Sequence, residues 1–272
     1  MPELPEVETT RRGVEPHLVG STIREVIVRR RDLRQPVPES IAKAEGLKAT
    51  AIRRRSKYLI IDVEDGASLL IHLGMSGSLR LVDPAEPWKK HDHVAWTLSN
   101  GRQLRFHDPR RFGIVLYLEP GALANHPLLV GLGPEPLEDE FTAESLAKAC
   151  SSRSIPIKIA IMDAKTVVGV GNIYASEALF RAGILPTSPA NRVSNIRLKR
   201  LVSAIKEVLT DSIVQGGTTL RDFLNSDGEP GYFKQRLFVY GRKGEPCRVC
   251  GTEIRQAVMG QRSTYWCPKC QR

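Results

Sequence analysis

The sequence predicts an α+β chain of more than one domain: a β-rich first half, a helical module, and a small metal-bearing ribbon at the end. Three observations carry that expectation. Apolar residues recur with period two from about 20 to 118, the period becomes helical after the stretch GLGPEPLEDEF, and four cysteines end the chain as C-x2-C-x16-C-x2-C. At 272 residues the chain is long enough for two cores.

The chain opens MPELPEVETTRRG, where Pro5 followed by Glu6 and Glu8 reads as a helix start with negative charge in its first turn. Pro2 fits that helix start or an expendable terminus, and nothing local requires it to do more. Further on, SLLIHL, SLRLV and RQLRFHD alternate as strands do, and VEDGAS and LSNGRQ carry the Asp-Gly and Asn-Gly pairs of tight hairpins.

Beyond the Pro/Gly/acidic linker, TAESLAKAC, ASEALFRAG and VSNIRLKRLVSAIKEVLTDSIV read as helices. The first opens on Thr142 with Glu144 in its first turn, and the last carries apolar residues at Ile196, Leu201, Ile205, Val208 and Leu209. NSDGEPGYF, rich in Gly, Pro, acids and amides, reads as a mobile loop. In VVGVGNIYASEAL, Gly169, Gly171 and Asn172 precede a helix; this is an ordinary turn or a phosphate cradle, and it matches neither the dinucleotide nor the Walker fingerprint.

The spacing of Cys247, Cys250, Cys267 and Cys270 suits one tetrahedral zinc. With all four positions filled by protein, the ion has no open site for chemistry and is structural, stiffening a hairpin too small to form a core unaided. Cys150 falls outside the set and reads as a small buried apolar residue.

Charge supplies the partner class. Lys and Arg number 40 against 30 Asp and Glu, a net +10, and the tail from 231 to 272 holds nine cations and two acids. Arg255, Arg262 and Lys269 lie on the ribbon, so a polyanion such as nucleic acid is expected there. No apolar run approaches the roughly 18 residues of a membrane span, and the acidic N-terminus is unlike a secretory signal, so a cytosolic protein with reduced thiols is expected.

Taken in order, MPELPEVE, HLGMSGSLR, KHDHV, DPRRFG, GLGPEPL, VVGVGNIYASEALF, QGGTTLRDFL, SDGEPGYF, VYGRKGEPC and the cysteine ribbon resemble the bacterial formamidopyrimidine-DNA glycosylases, enzymes that excise 8-oxoguanine. The resemblance runs nearly end to end. It implies an N-terminal catalytic β-sandwich with flanking helices (1–131), a helix–two-turn–helix module (132–235) and a β-hairpin zinc finger (236–272). It also implies a monomer acting on double-stranded DNA that carries oxidised purines or abasic sites, in the bacterial cytoplasm at the nucleoid.

The same resemblance gives Pro2 a role: with Met1 removed, its nitrogen attacks C1′ of the damaged nucleotide. A terminal amine with a reference pKa of roughly 8 is neutral about a tenth of the time at pH 7, whereas lysine near 10.4 is neutral about once in two thousand. A proline iminium has no N–H to lose and so persists as the electron sink for β,δ-elimination. Glu3 is the matching carboxyl for proton transfer. By the same likeness, Lys57 contacts phosphate and assists elimination, Arg262 grips the flipped nucleotide's phosphate, and Asn172 contacts phosphate. His72, His91 and Lys158 join the DNA contacts, and Arg153 stands where the family has a lysine, so a fork replaces a point charge. Met75, Arg110 and Phe112 fill the gap left by the extruded base, and Thr218–Tyr232 matches the loop that closes over it.

Two other readings compete. The oxidised-pyrimidine glycosylase endonuclease VIII shares Pro2 and Glu3 but typically opens PEGPE, so Leu4, Arg110 and Phe112 favour the purine enzyme. A non-catalytic zinc-ribbon binder would need no proline behind Met1.

Overall fold

The computed structural model describes residues 2–216 and 237–272. The NSDGEPGYF and Thr218–Tyr232 segments lie outside the described residues. Two compact units divide the chain, one of residues up to Val130 and the other of Gly131–Val214 with the described tail from 237.

The first unit opens with helix α1 (Leu4–Leu18), as Pro5 and Glu6 predict. Glu3 is its N-cap, and the Glu3 N–H donates to Glu6 Oε2 at 2.8 Å, one half of a capping box. Leu4, Val7, Val14 and Leu18 are buried along one side of the helix.

Eight strands follow: β1 (Ile23–Val28), β2 (Ala49–Arg55), β3 (Tyr58–Val63), β4 (Ser68–His72), β5 (Ser78–Val82), β6 (Asp92–Leu98), β7 (Gln103–His107) and β8 (Ile114–Leu118). They form two four-stranded antiparallel sheets, ordered β1-β6-β7-β5 and β2-β3-β4-β8, stacked as a sandwich. Both expected hairpins form. Gly66 (φ +87°) turns β3 into β4 and Gly101 (φ +83°) turns β6 into β7, angles that suit glycine.

Leu59, Ile61, Leu69 and Ile71 from one sheet meet Leu79, Val94, Trp96 and Phe106 from the other, with Val7, Val14 and Leu18 of α1 in the same core. Each such side chain contributes about 1.5–3 kcal/mol by leaving water. The alternation in β3 and β4 is imperfect because Ile60 and Leu70 pack on the outer face under Leu128 and Leu129, so these strands are buried on both sides.

The second unit contains α2 (Ala143–Cys150), α3 (Ile157–Met162), α4 (Asn172–Ala182), α5 (Asn195–Val214) and the hairpin β9 (Arg255–Met259) and β10 (Arg262–Trp266). Thr142 caps α2 as expected, its Oγ1 accepting from the Ser145 N–H at 3.1 Å while Ser145 Oγ accepts from the Thr142 N–H at 2.9 Å. Gly183, at φ +68°, ends α4.

Two features of this half are not evident from the sequence pattern. Ile196, one of the apolar residues of α5, is 77% exposed: it lies five residues from Leu201, about 140° round the helix, while Leu201, Ile205, Val208 and Leu209 are buried. The pattern also gives no sign of helix α3. SIPIKIAI alternates like a strand, yet Pro156 sets the backbone at the N-cap and one helical turn buries Ile157, Lys158, Ala160 and Ile161. Cys150 is buried as expected, and burial pushes its thiol pKa up, the opposite of an activated nucleophile.

The ribbon docks on the helices through the end of the chain. Gln271 Nε2 donates to the Ile184 carbonyl at 2.9 Å, and the Leu185 N–H donates to the Arg272 carbonyl at 3.1 Å. Phe180 of α4 stacks on Phe238 with 5.3 Å between ring centroids.

Candidate catalytic residues and nucleic-acid contacts

In the first unit, Pro2 and Glu3 are buried at the head of α1, with Glu3 3% exposed. Lys57 is half-buried in the two-residue turn that joins Arg55 to its strand partner Tyr58. That turn is strained at Ser56, which has φ 56° and is buried. Arg54 holds it: one guanidinium nitrogen donates to the Ser56 carbonyl at 3.0 Å, and Nε donates to Glu8 of α1 at 3.3 Å. The helix that Pro2 and Glu3 lead into is thereby tied to the turn that carries Lys57. Burial alone would raise the Glu8 pKa; hydrogen bonds from Arg11 and Arg12 and the charges of Arg11 and Arg54 outweigh it and hold Glu8 ionised.

His72, at the end of β4, accepts the Gly74 N–H on Nδ1 at 3.0 Å, which leaves Nε2 as its donor. Burial, then the charges of Lys57 and Arg34, push its pKa down to about 4. It is therefore neutral at pH 7, and any phosphate contact it makes is a neutral hydrogen bond.

Met75 is half-buried in the turn after His72, while Arg110 and Phe112 are exposed in the turn between β7 and β8. Phe112 is 43% exposed, and the Arg110 guanidinium sits 5.1 Å from its ring centroid. Arg111, at φ 57°, is paired with Asp32.

His91 sits edge-on to His93 and His107, at 6.2 and 5.9 Å between centroids. The strand that follows it, β6, begins at Asp92, which is 1% exposed and accepts from Arg80 at 2.8 Å and the Lys89 N–H at 2.9 Å, with His107 Nδ1 at 2.8 Å. Burial would raise Asp92, but the bonds from His107, Lys89 and Arg80 hold it at about 2.

In the second unit, Lys158 is fully buried, and its ammonium reaches Asn172 Oδ1, Thr264 Oγ1 at 2.6 Å and the Ser263 carbonyl at 3.3 Å. Asn172, the first residue of α4, also donates from Nδ2 to the Ser263 carbonyl at 3.0 Å. Ser263 follows Arg262, which is exposed at the start of β10. One buried ammonium thus joins the α4 N-terminus to the strand that carries Arg262. Arg153, by contrast, is engaged with Asp163 and with Thr166 Oγ1 at 2.7 Å.

The Sγ atoms of Cys247, Cys250, Cys267 and Cys270 all lie within 4.8 Å of one another, with 3.9 Å between Cys247 and Cys270 and 3.4 Å between Cys250 and Cys267. A tetrahedral ion bound at about 2.3 Å by four thiolates spaces the sulfurs by roughly 3.8 Å, so this set could hold a metal ion.

Sequence reasoning missed several residues that hold these in place. Besides Glu8, Arg54 and Asp92, Glu177 of α4 is 2% exposed, and its carboxylate accepts the N–H groups of Phe238, Val239 and Tyr240 at 2.8–2.9 Å, fastening the chain as it enters the ribbon. A glutamate in ASEALF looks like a solvated helix residue, because its partners lie about sixty positions away.

A β-sandwich opening on proline and glutamate, with helices bearing a four-cysteine ribbon, matches three family models in order. They are the formamidopyrimidine-DNA glycosylase N-terminal domain over residues 1–115, the formamidopyrimidine-DNA glycosylase H2TH domain over 132–224, and the zinc finger found in FPG and IleRS over 244–272. This is the make-up of a zinc-finger DNA-repair glycosylase. The formamidopyrimidine-DNA glycosylases of Alteromonas mediterranea and Stenotrophomonas maltophilia R551-3 are 56% and 54% identical to it, each over all of both chains. Among solved structures, the MutM (Fpg) protein from Thermus thermophilus aligns with TM-score 0.90 and 41% identity, covering 99% of this chain and 98% of that one. Lactococcus lactis Fpg in complex with abasic-site DNA aligns with TM-score 0.92 and 33% identity over 99% of each chain. The chain belongs to the formamidopyrimidine-DNA glycosylase family. Among the described residues no helix is long and apolar enough to cross a membrane.

Proposed function

We propose that this chain is a bifunctional DNA glycosylase and abasic-site lyase that removes 8-oxoguanine and ring-opened purines from duplex DNA. The observation that carries this reading is a proline and a buried glutamate at the head of a capped helix, tied through Glu8 and Arg54 to the turn that presents Lys57. The Lactococcus lactis neighbours in complex with Fapy-dG DNA and abasic-site DNA support the substrate class.

In this account Met1 is removed and the Pro2 nitrogen donates its lone pair to C1′. The glycosidic C–N bond breaks; the base leaves with that bond's electron pair, and the proton it gains balances the one the Pro2 nitrogen releases. The C1′–O4′ bond then opens with a proton delivered to O4′, leaving an iminium between Pro2 and C1′. Loss of a C2′ proton expels the 3′ phosphate, and a second, vinylogous elimination expels the 5′ phosphate. Glu3 moves the proton at O4′, and Lys57 neutralises the phosphate beside the lesion.

Arg262 and Asn172 grip backbone phosphate; Lys158, expected among the DNA contacts, is fully buried and instead positions Asn172 and the Ser263 carbonyl next to Arg262. One zinc, bound by the four cysteines, fixes β9 and β10 and does no chemistry, because no coordination position is left open. His72 and His91 add contacts as donors. Arg153 contacts DNA only by leaving Asp163. The enzyme works in the cytoplasm, on nucleoid DNA.

Arg110 faces the base left behind. Cytosine offers O2 and N3 as adjacent acceptors, whereas adenine's Watson–Crick edge sets N1 beside the N6 donor, and arginine can only donate. Single-turnover strand scission of 8-oxoguanine duplexes is therefore expected to favour cytosine over adenine by about five- to a hundredfold, the scale of a bidentate base contact. Arg110→Ala should lose most of that preference. Undiminished discrimination in Arg110→Ala would place the choice elsewhere.

A further inference from the structure

Asp108 is fully buried beneath the two turns that carry Met75, Arg110 and Phe112. Its carboxylate takes donors from both. Oδ1 accepts from Ser76 Oγ at 3.3 Å in the first turn and from the Arg110 N–H at 3.3 Å in the second, while Oδ2 accepts the Gly113 N–H at 2.8 Å. Its backbone is equally committed. The carbonyl receives His93 Nε2 at 2.8 Å and the Arg111 N–H at 3.3 Å, and its own N–H donates to the His91 carbonyl at 2.9 Å.

The two turns also touch directly. Gly74 has φ +68°, and a Cβ there would lie 2.6 Å from Gly113 N and 2.6 Å from the Phe112 carbonyl carbon. A Cβ on Gly77 would lie 2.2 Å from the Leu73 carbonyl oxygen, so the Met75 turn has no room for a side chain at that position. Gly113 is closed in as well: a Cβ there would meet Phe106 Cζ at 2.4 Å and Asp108 Oδ2 at 3.0 Å.

A buried carboxylate costs free energy unless its lone pairs are used, and here the donors that satisfy it are neutral groups from the backs of the two turns. Neither turn can shift without stripping a buried bond.

We propose that Asp108 is a positioning residue that locks the Met75 turn and the Arg110–Phe112 turn into one wedge, so that extrusion of a paired base depends on a group that touches no DNA. The inference rests on the gap-filling role given above to Met75, Arg110 and Phe112. It adds that the three act as one body, set by a single carboxylate.

The test compares two substrates under single-turnover conditions: an intact duplex with 8-oxoguanine opposite cytosine, which requires extrusion, and a preformed abasic site, which has no damaged base to extrude. Asp108→Asn sets an amide NH2 against a peptide N–H. It should lower excision from the paired duplex roughly tenfold or more while changing abasic-site cleavage about twofold or less. Ser76→Ala removes only the bond between the turns; it leaves the helix-capping and core residues untouched and should show a smaller loss of the same selectivity. Combined with Phe112→Ala, Asp108→Asn should add little further loss, because both act through the same wedge.

Equal loss on both substrates would reduce Asp108 to a fold residue and overturn the proposal. So would additive losses in the double variant, or, if Asp108→Asn fails to fold, unchanged selectivity in Ser76→Ala. Phe112→Ala and Arg110→Ala alone separate the two claims: if neither lowers excision from the paired duplex, the gap-filling reading itself falls; if they do and Asp108→Asn does not, only the present proposal falls.

Discussion

Glu3→Gln is expected to lose base excision by roughly 10²–10⁴-fold, the range spanned by general acid–base catalysis, while lesion-duplex affinity stays within a few-fold of wild type. The substitution keeps the shape of the side chain and leaves an oxygen to accept from the helix N-terminus, so α1 retains an N-cap and Pro2 keeps its place. Only proton transfer is removed. Excision by single-turnover kinetics and affinity by fluorescence anisotropy, on the same duplex, separate the two effects. Parallel loss of both would make Glu3 a structural cap and remove it from the chemistry.

Stripping the metal, or Cys247→Ser, is expected to unfold the ribbon and abolish high-affinity DNA binding, with the melting of the β-sandwich unit unchanged. The ribbon has little core of its own: the buried members of its cluster are Phe180, Val239, Cys247, Ile254 and Cys267, of which two are proposed ligands and Phe180 belongs to α4, with Phe238, Tyr265 and the other two cysteines partly buried against them. In small zinc domains the ion supplies on the order of 10 kcal/mol, more than Val239 and Ile254 replace at about 1.5–3 kcal/mol each. With β10 unfolded, Arg262 has no fixed position and Ser263 no longer holds Asn172 and Lys158. Metal content by mass spectrometry, together with the salt dependence of binding, reads the effect. Loss of the ribbon's phosphate contacts should flatten the slope by about one unit per contact. Full affinity after the metal is removed would contradict it.

Local chemistry made the framework legible. Asp-Gly and Asn-Gly pairs specify their hairpins, Thr142 specifies a helix start, and cysteine spacing specifies a ribbon, each because a backbone angle or a ligand geometry permits few residue types. What escaped was decided by partners distant in sequence. SIPIKIAI reads as a strand until the ribbon and α4 close over Lys158, and three acceptors gathered from two elements are what make a buried lysine tolerable there. Asp92, Asp108 and Glu177 look like ordinary polar residues because at least one group that satisfies each is distant in sequence: Arg80 for Asp92, Ser76 for Asp108 and the Val239 N–H for Glu177. The reacting residues themselves were suggested by motif likeness. The residues that hold them still needed the fold.

The central claim is that the terminal amine of Pro2 carries the reaction, and covalent trapping tests it most directly. Borohydride added during turnover of an 8-oxoguanine duplex should reduce the iminium to a stable protein–DNA adduct, and peptide mapping should place it on the N-terminal residue of a chain that lacks Met1. An adduct mapped to Lys57, or trapping and full activity in a chain that retains Met1, would contradict the account.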